Sequence, residues 1–297
     1  MTTLKELRDR RRSVQSTQKI TLAMKMVAGA KLRRAQEFVE AGRPYARLMK
    51  VILGDLAAKS QSFDCPQPLL VGTGKNDTHL LLVMTSDRGL CGSFNASIVR
   101  QARKLIVSLE GQGKIIKLLC VGRKGREALL RDYGHLIVES FTDIGHPRLR
   151  FSDAQYVADS LLKMYQDGLF DICTIVYNHF KSAMTQEVMK EQLIPIRVDL
   201  LSIQSLEVQP MKAIYEYEPT EETILNQLLP QNITVQIYNA LLENAASEQG
   251  ARMTAMDSAS RNAGEMIRKL TLTYNRTRQA HITRELIEII SGAEALS

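Results

Sequence analysis

The sequence predicts an α/β protein in which a Rossmann-like, mainly parallel sheet domain is flanked by long N-terminal and C-terminal helices that form an antiparallel coiled coil. Two observations predict this fold. In the middle of the chain, short and nearly continuous apolar runs alternate with helical stretches, which is typical of βαβ units. Near both ends, apolar and small residues recur about every 3.5 residues along stretches with few prolines, which is typical of helices that pair.

The N-terminal segment, residues 1–56, is predicted to be a helix from Leu4 to about Leu56, with only Pro44 placed to kink it. Its repeating stripe is apolar at both ends and polar or small in the middle. The stripe consists of Leu4, Leu7, Arg11, Val14, Gln18, Thr21, Lys25, Ala28, Leu32, Ala35 and Val39. A stripe with so few large apolar side chains buries too little surface to stabilise a coiled coil by itself, so it needs a partner helix.

The middle of the chain divides into a linker and a sheet domain. Residues 57–75 contain Pro, Gly and Ser and are predicted to be the linker, and residues 76–210 the α/β domain. Strands are predicted at 78–84, 114–121, 135–140 and 171–180, and helices near 95–109, 123–132 and 152–167. The run 185–196 predicts an additional strand at the sheet edge, because Pro195 cannot donate a ladder hydrogen bond.

The C-terminal segment, residues 211–297, is predicted to be helical from Gln231 to Ile290, about 90 Å at the helical rise. It carries a second stripe with small residues in its middle: Val235, Asn239, Leu242, Ala246, Gln249, Met253, Met256, Ser260, Ala263, Ile267 and Leu270. Both stripes are covered if the two terminal helices pair antiparallel.

Positive charge is concentrated at the start of the chain. The net charge is +7, and residues 1–34 hold ten basic residues against Glu6 and Asp9. No acid lies between Arg10 and Glu37. A helix this basic predicts an acidic partner. The absence of Trp and an aromatic content of only 5% argue against a surface that stacks nucleic-acid bases.

Motifs for catalysis are weak, and we predict a non-enzyme with no catalytic, cofactor or metal site. The run 71–77 lacks the spacing of a Walker loop, and the glycines of TSDRGLCGSFN (85–95) do not form a dinucleotide fingerprint. That segment is instead predicted to be a tight turn capped by Asp87 and Asn95, with Cys91 as a packed thiol. The chain has no apolar run long enough to span a membrane and no signal-like start, which predicts a soluble protein.

Three long motifs resemble the γ subunits of bacterial and mitochondrial ATP synthases. They are TQKITLAMKMVAGAKLRRAQ, TSDRGLCGSFN, and SEQGARMTAMDSASRNAGEMI followed by YNRTRQAHITRELIEIISGAEAL. The resemblance covers nearly the whole chain, although Ser93 and Phe94 stand where family members more often have Gly and Leu. The cysteine-bearing insertion typical of chloroplast relatives is absent, so thiol control of rotation is not expected.

The resemblance implies a rotor shaft without a catalytic site of its own. In the family, the paired helices form the central stalk, which carries torque between a membrane c ring and a ring of three α and three β subunits and also contacts the ε subunit. It implies a peripheral place at the cytoplasmic face of the bacterial inner membrane, or alternatively at the matrix side of the mitochondrial one.

Three groups of contact residues follow from the resemblance and the predicted pairing. The first group is expected to contact the surrounding ring of α and β subunits, which we call the α/β collar: Lys19, Met24, Lys25, Arg33, Arg278 and Gln279. Met24 and Lys25 are expected at the same depth along the helix pair as Arg278 and Gln279. The apolar bearing tip is Ile282, Leu286, Ile289 and Ile290. The foot that meets the c ring and ε is Tyr215, Glu216 and Tyr217.

Other interpretations use the same residues. The basic and apolar positions can simply pad a coiled coil, and the foot can be a plain linker strand. A nucleic-acid-binding protein is suggested by the basic helix, a nicotinamide-dependent oxidoreductase by the α/β domain, and a lipid-surface helix by the basic amphipathic start. DNA binding that survives moderate salt supports the first of these three, and bound NAD the second.

Overall fold

The central sheet has five strands in the order β3-β2-β1-β4-β5. In the computed structural model, which describes residues 3–60, 67–146, 148–196 and 221–294, the strands are β1 (Thr78–Met84), β2 (Ile115–Val121), β3 (Ile137–Phe141), β4 (Ile172–Phe180) and β5 (Gln186–Ile194). Neighbours among the first four strands run parallel, and β5 lies antiparallel to β4 at the edge. The predicted α/β fold, including the added edge strand, is confirmed.

Helices cover both faces of the sheet, and this explains the apolar runs. The helices are α1 (Leu4–Ser60), the single turn α2 (Pro68–Val71), α3 (Phe94–Glu110), α4 (Arg123–Tyr133), α5 (Phe151–Gln166) and α6 (Glu221–Glu294). Leu80 and Leu82 point into a cluster with residues of α5 and α6, whereas Leu81 and Val83 point into a cluster with residues of α3. Because both faces are buried, β1 is buried at every residue after Thr78.

The last helix begins ten residues before the predicted start at Gln231. Pro230 lies inside α6 and cannot donate the usual helical hydrogen bond. Leu225 and Leu229 are nevertheless fully buried in the core cluster, so packing stabilises the turns that precede the proline. Helix α1 likewise continues through Pro44.

Contacts divide the chain into two compact units. The first contains residues 1–29 and 252–297, and the second contains residues 30–251. Each long helix therefore contributes to both units. Helix α1 begins with a capping box in which the Thr3 amide donates to the Glu6 carboxylate (3.0 Å) and the Glu6 amide donates to Thr3 Oγ1 (3.3 Å).

Thr85, directly after β1, joins three parts of the second unit. Its amide donates to the carbonyl of Val121 (2.8 Å), and its hydroxyl accepts from the Gly125 amide (2.8 Å) at the start of α4. The backbone here is so close that a Cβ on Gly122, whose φ is +95°, would lie 2.3 Å from the Thr85 carbonyl oxygen.

We expect Thr85→Val to destabilise the chain by about 1–3 kcal/mol, because it leaves the buried Gly125 amide without an acceptor. Thr85→Ser keeps the hydroxyl and is the matched control. Urea unfolding of the full-length chain measures both. Equal midpoints for the two variants would contradict this role of the hydroxyl.

Candidate functional site

The carboxyl end of the sheet is where α/β proteins commonly bind nucleotides. There the Asp87 carboxylate accepts hydrogen bonds from the amides of Arg123 and Asp143, both at 3.0 Å. Arg123 is the first residue of α4, so Asp87 binds the start of α4 rather than its own turn, and the prediction that it caps that turn is wrong. An anionic oxygen of the chain itself thus occupies the amides that a phosphate would use.

Asn95 caps the turn 85–95, as predicted. It lies within α3, where its amide group binds back to the turn: Oδ1 accepts from the Ser86 amide (3.0 Å) and Nδ2 donates to Cys91 Sγ (3.2 Å). Cys91 is 2% exposed, which confirms the packed thiol. Burial raises the pKa of Cys120 to about 11 and also raises the pKa of Cys173, so both thiols stay protonated at neutral pH.

Among residues 3–60, 67–146, 148–196 and 221–294, no group of three or more His, Cys, Asp or Glu side chains could hold a metal ion. No helix in that part of the chain is long and apolar enough to cross a membrane.

The first unit consists of the two helix ends, which pack antiparallel. Lys25 Nζ lies 2.5 Å from Asp257 Oδ1, and the Arg261 guanidinium lies 3.3 Å from the other oxygen of the same carboxylate. Toward the start of α1, Gln18 donates to the carbonyl of Ser260 (3.4 Å), and Arg11 lies 5.5 Å from the ring centre of Tyr274. As residue numbers fall along α1, those of the partners rise along α6, which confirms the predicted antiparallel pairing.

Small residues allow the helices to approach closely. A Cβ on Gly264 would lie 3.1 Å from the Gln18 side chain, and one on Gly29 would lie 3.5 Å from Met253 Sδ. Ala28 and Ala263 are buried in the same unit, as are Leu7, Thr21 and Met256. The mid-stripe residues therefore form a tight seam rather than a row of large knobs.

The predicted common depth of Met24 and Lys25 with Arg278 and Gln279 is wrong. Lys25 lies beside Asp257, and Arg278 is 21 residues farther along α6, roughly 31 Å at 1.5 Å per residue. The seam pattern repeats about every 3.5 residues, so it cannot distinguish one register from another several turns away. The ion pair also places an acidic side chain beside the basic stretch of α1.

The remaining predicted contacts lie on the surface. Lys19 and Arg33 on α1 and Arg278 and Gln279 on α6 are exposed, whereas Met24 and Lys25 are half-buried. Every described side chain from 278 to 291 is exposed, including the apolar tip at Ile282 (47%), Leu286 (53%), Ile289 (68%) and Ile290 (58%). The Lys25–Asp257 register sets Arg278 opposite the start of α1, so the tip extends past the end of its partner. Tyr215, Glu216 and Tyr217 lie outside the described residues.

Asp257 is the residue of this unit that the sequence reasoning missed. Its signal was present, because Lys25 sits on the α1 stripe and a cation on a helix seam favours an acid on the facing helix. Hydrogen bonding to Lys25 is the main cause of the lowered pKa of Asp257; burial opposes it, and the positive charges of Lys25 and Arg261 lower the pKa further.

Comparison with known proteins identifies the class of this molecule. A family model described as ATP synthase matches residues 3–296 of the chain. The ATP synthase gamma chain of Rhodospirillum rubrum is 54% identical over 299 residues, and that of Paramagnetospirillum magneticum is 54% identical over 296 residues; both matches cover 100% of each chain. The chain belongs to the ATP synthase gamma chain family.

Solved structures agree with this assignment. A chain of the Tetrahymena thermophila mitochondrial ATP synthase, in a structure described as central stalk and c ring, is 34% identical with a TM-score of 0.60. The match covers 81% of this chain and 99% of that one. A chain of the Euglena gracilis rotor is 19% identical with a TM-score of 0.66, covering 94% and 98%, and supports the fold alone.

We expect Lys25→Met to raise the pKa of Asp257 toward its ordinary value of 3.8. Because the pKa is lowered in the folded chain, the pair stabilises folding above the unfolded-state pKa, and this effect is lost as the pH falls through the folded-state pKa. A carboxyl-carbon NMR titration measures the pKa directly. Lys19→Met, which removes an exposed charge from the same helix, should leave it unchanged; equal shifts in both variants would refute the specific pairing.

Proposed function

We propose that this chain is the central rotor stalk of an ATP synthase, transmitting torque between a membrane c ring and a catalytic ring of α and β subunits. The observation that carries the proposal is the first unit: two antiparallel helix ends with a tight seam, exposed basic side chains and an apolar tip past its partner's end. Support also comes from the 34%-identical relative in the structure described as central stalk and c ring.

The proposed role is non-catalytic, and it includes assembly, coupling and regulation of ATP hydrolysis by the complex. Asp87 holds the amides at the carboxyl end of the sheet, and the thiols of Cys91, Cys120 and Cys173 are buried. Nucleotide chemistry and proton transfer would then belong to other subunits. The chain would act at the cytoplasmic face of the bacterial inner membrane, where its foot at 215–217 contacts the c ring and ε.

The register suggests that the α/β collar meets the stalk at two levels. Lys19, Met24 and Lys25 form one level near Asp257, and Arg278 and Gln279 form another near the start of α1. The exposed charges of Lys19 and Arg278 suit acidic loops, whereas the apolar tip beyond Gln279 suits an apolar sleeve. Apolar contact is non-directional, so a tip held in this way can turn without breaking fixed hydrogen bonds.

Co-purification tests the proposal as a whole. A tagged chain expressed in its own cells should bring down α and β in a ratio of about three to three to one, the stoichiometry that the family resemblance implies for one shaft in a six-membered ring. Recovery with nucleic acid and without α and β would instead support the nucleic-acid-binding alternative.

Arg278→Ala should weaken both assembly and ATP synthesis, because each lost charge-assisted hydrogen bond to a carboxylate contributes about 1–3 kcal/mol. ATP synthesis and proton pumping per ATP hydrolysed in membrane vesicles measure the effect. Arg131→Ala removes an exposed Arg from α4 and is the matched control. Wild-type assembly, synthesis and pumping in Arg278→Ala would show that this collar level is only a solvated face.

Replacing Ile289 and Ile290 together by Ser should leave the helical content unchanged, because both side chains are exposed in the free chain. Assembly with α and β should weaken, since each buried Ile side chain would contribute about 1.5–3 kcal/mol in an apolar sleeve. Val138→Ser changes an exposed apolar residue of β3 and serves as control. If reconstitution titrations give the same affinity for both variants and the wild type, the tip is not a bearing.

A further inference from the structure

Strand β4 continues past the end of β1, its parallel neighbour, so its last backbone groups have no hydrogen-bond partner on β1. The pairing of β1 with β4 ends at Val83 and Val176, because the chain turns away after β1 and the Thr85 amide bonds to β2 instead. Residues 177–180 of β4 remain paired with β5 on their other side. The backbone of Asn178 and Phe180 must therefore find partners other than β1.

Side chains of helix α6 supply those partners. Asn244 Oδ1 accepts from the Asn178 amide (3.2 Å), Ser247 Oγ donates to the Asn178 carbonyl (3.1 Å), and Glu243 Oε2 accepts from the Phe180 amide (2.9 Å). Asn178, Asn244 and Ser247 are at most 5% exposed. We call these three hydrogen bonds, made by Glu243, Asn244 and Ser247 to the end of β4, the polar clamp.

The clamp is surrounded by close contacts. His179 Nδ1 lies 3.3 Å from the same oxygen of Glu243, and the Asn178 side chain donates to the carbonyl of Phe94 at the start of α3 (3.4 Å). One helical turn after the clamp, a Cβ on Gly250 would lie 3.3 Å from the Ala183 Cα, so the α6 backbone passes directly over the β4–β5 turn.

The position of the clamp along α6 gives it mechanical significance. Glu243, Asn244, Ser247 and Gly250 are spaced by one, three and three residues, so they lie on one side of the helix. They occupy the last turns of α6 within the second unit, which ends at Ala251, and the same helix continues to Glu294. Apolar packing between helix and sheet is non-directional, whereas hydrogen bonds fix both rotation and translation.

We infer that the polar clamp is the torque-bearing connection between the sheet and helix α6, with Glu243, Asn244 and Ser247 as positioning residues. The inference rests on the proposed rotor function. Rotating α6 about its axis would have to break these buried, directional hydrogen bonds. No neighbouring strand could then supply new partners to the backbone of Asn178 and Phe180. The sheet and the helix therefore turn as one body at this point.

The test uses the double variant Glu243→Met, Asn244→Leu, which preserves side-chain size but removes two of the three bonds. In the free full-length chain, amide hydrogen exchange at Asn178 and Phe180 should accelerate about tenfold, the equivalent of one lost hydrogen bond. In the assembled synthase, with the α and β ring immobilised and a bead on the c ring, the variance of the bead angle during pauses should rise. The expected rise is at most about threefold, since one of three parallel bonds remains and the rest of the shaft adds an unchanged share of the variance.

Two further variants make the test decisive. Glu243→Gln keeps an acceptor oxygen and should restore stiffness at that bond, and Asn226→Leu, at an exposed Asn of the same helix, should change neither measurement. If the double variant does not assemble, Ser247→Ala removes a single hydroxyl and should give a smaller rise. Faster exchange with unchanged bead variance would overturn the inference, because the clamp would then only stabilise the fold. A wild-type bead that does not rotate on ATP would instead contradict the proposed function.

Discussion

The seam between the two helix ends is the constraint on which the first unit depends. That unit contains the ends of the two long helices, and each helix end buries its stripe against the other. Large apolar side chains would push the helices apart, and Gly29, Gly264, Ala28 and Ala263 instead bring them together. The partly exposed ion pair of Lys25 with Asp257 and the hydrogen bond from Gln18 to Ser260 then set which turn of α1 meets which turn of α6.

Much of the second unit could be predicted from the sequence, because its strands are buried on both faces. The apolar run at 78–84 matches β1 residue for residue, and the other parallel strands agree within two residues at each end. The predictions failed where packing or contacts between distant residues overrode a local sequence rule. Pro230 was treated as the boundary of α6, yet buried leucines on both sides hold the helix through it.

The candidate site was less predictable, for a different physical reason. The tip was named from its apolar composition alone, and its side chains are exposed in the structure. The register of a repeating stripe depends on a few specific pairs, so the depth of Arg278 relative to Lys25 could not be read from periodicity. Likewise, the target of the Asp87 carboxylate is an amide 36 residues away, which no local turn pattern indicates.

The Asp87 carboxylate also limits the access of phosphate groups to the carboxyl end of this sheet. It is tethered to the amides it binds, so its effective concentration at the start of α4 reaches the millimolar range or higher, as for any ligand held by a short linker. A free phosphate group would have to displace it before reaching the same amides. The chain's own carboxylate thus keeps these amides at the carboxyl end of the sheet occupied, so the edge at which this fold class commonly holds a phosphate is filled from within.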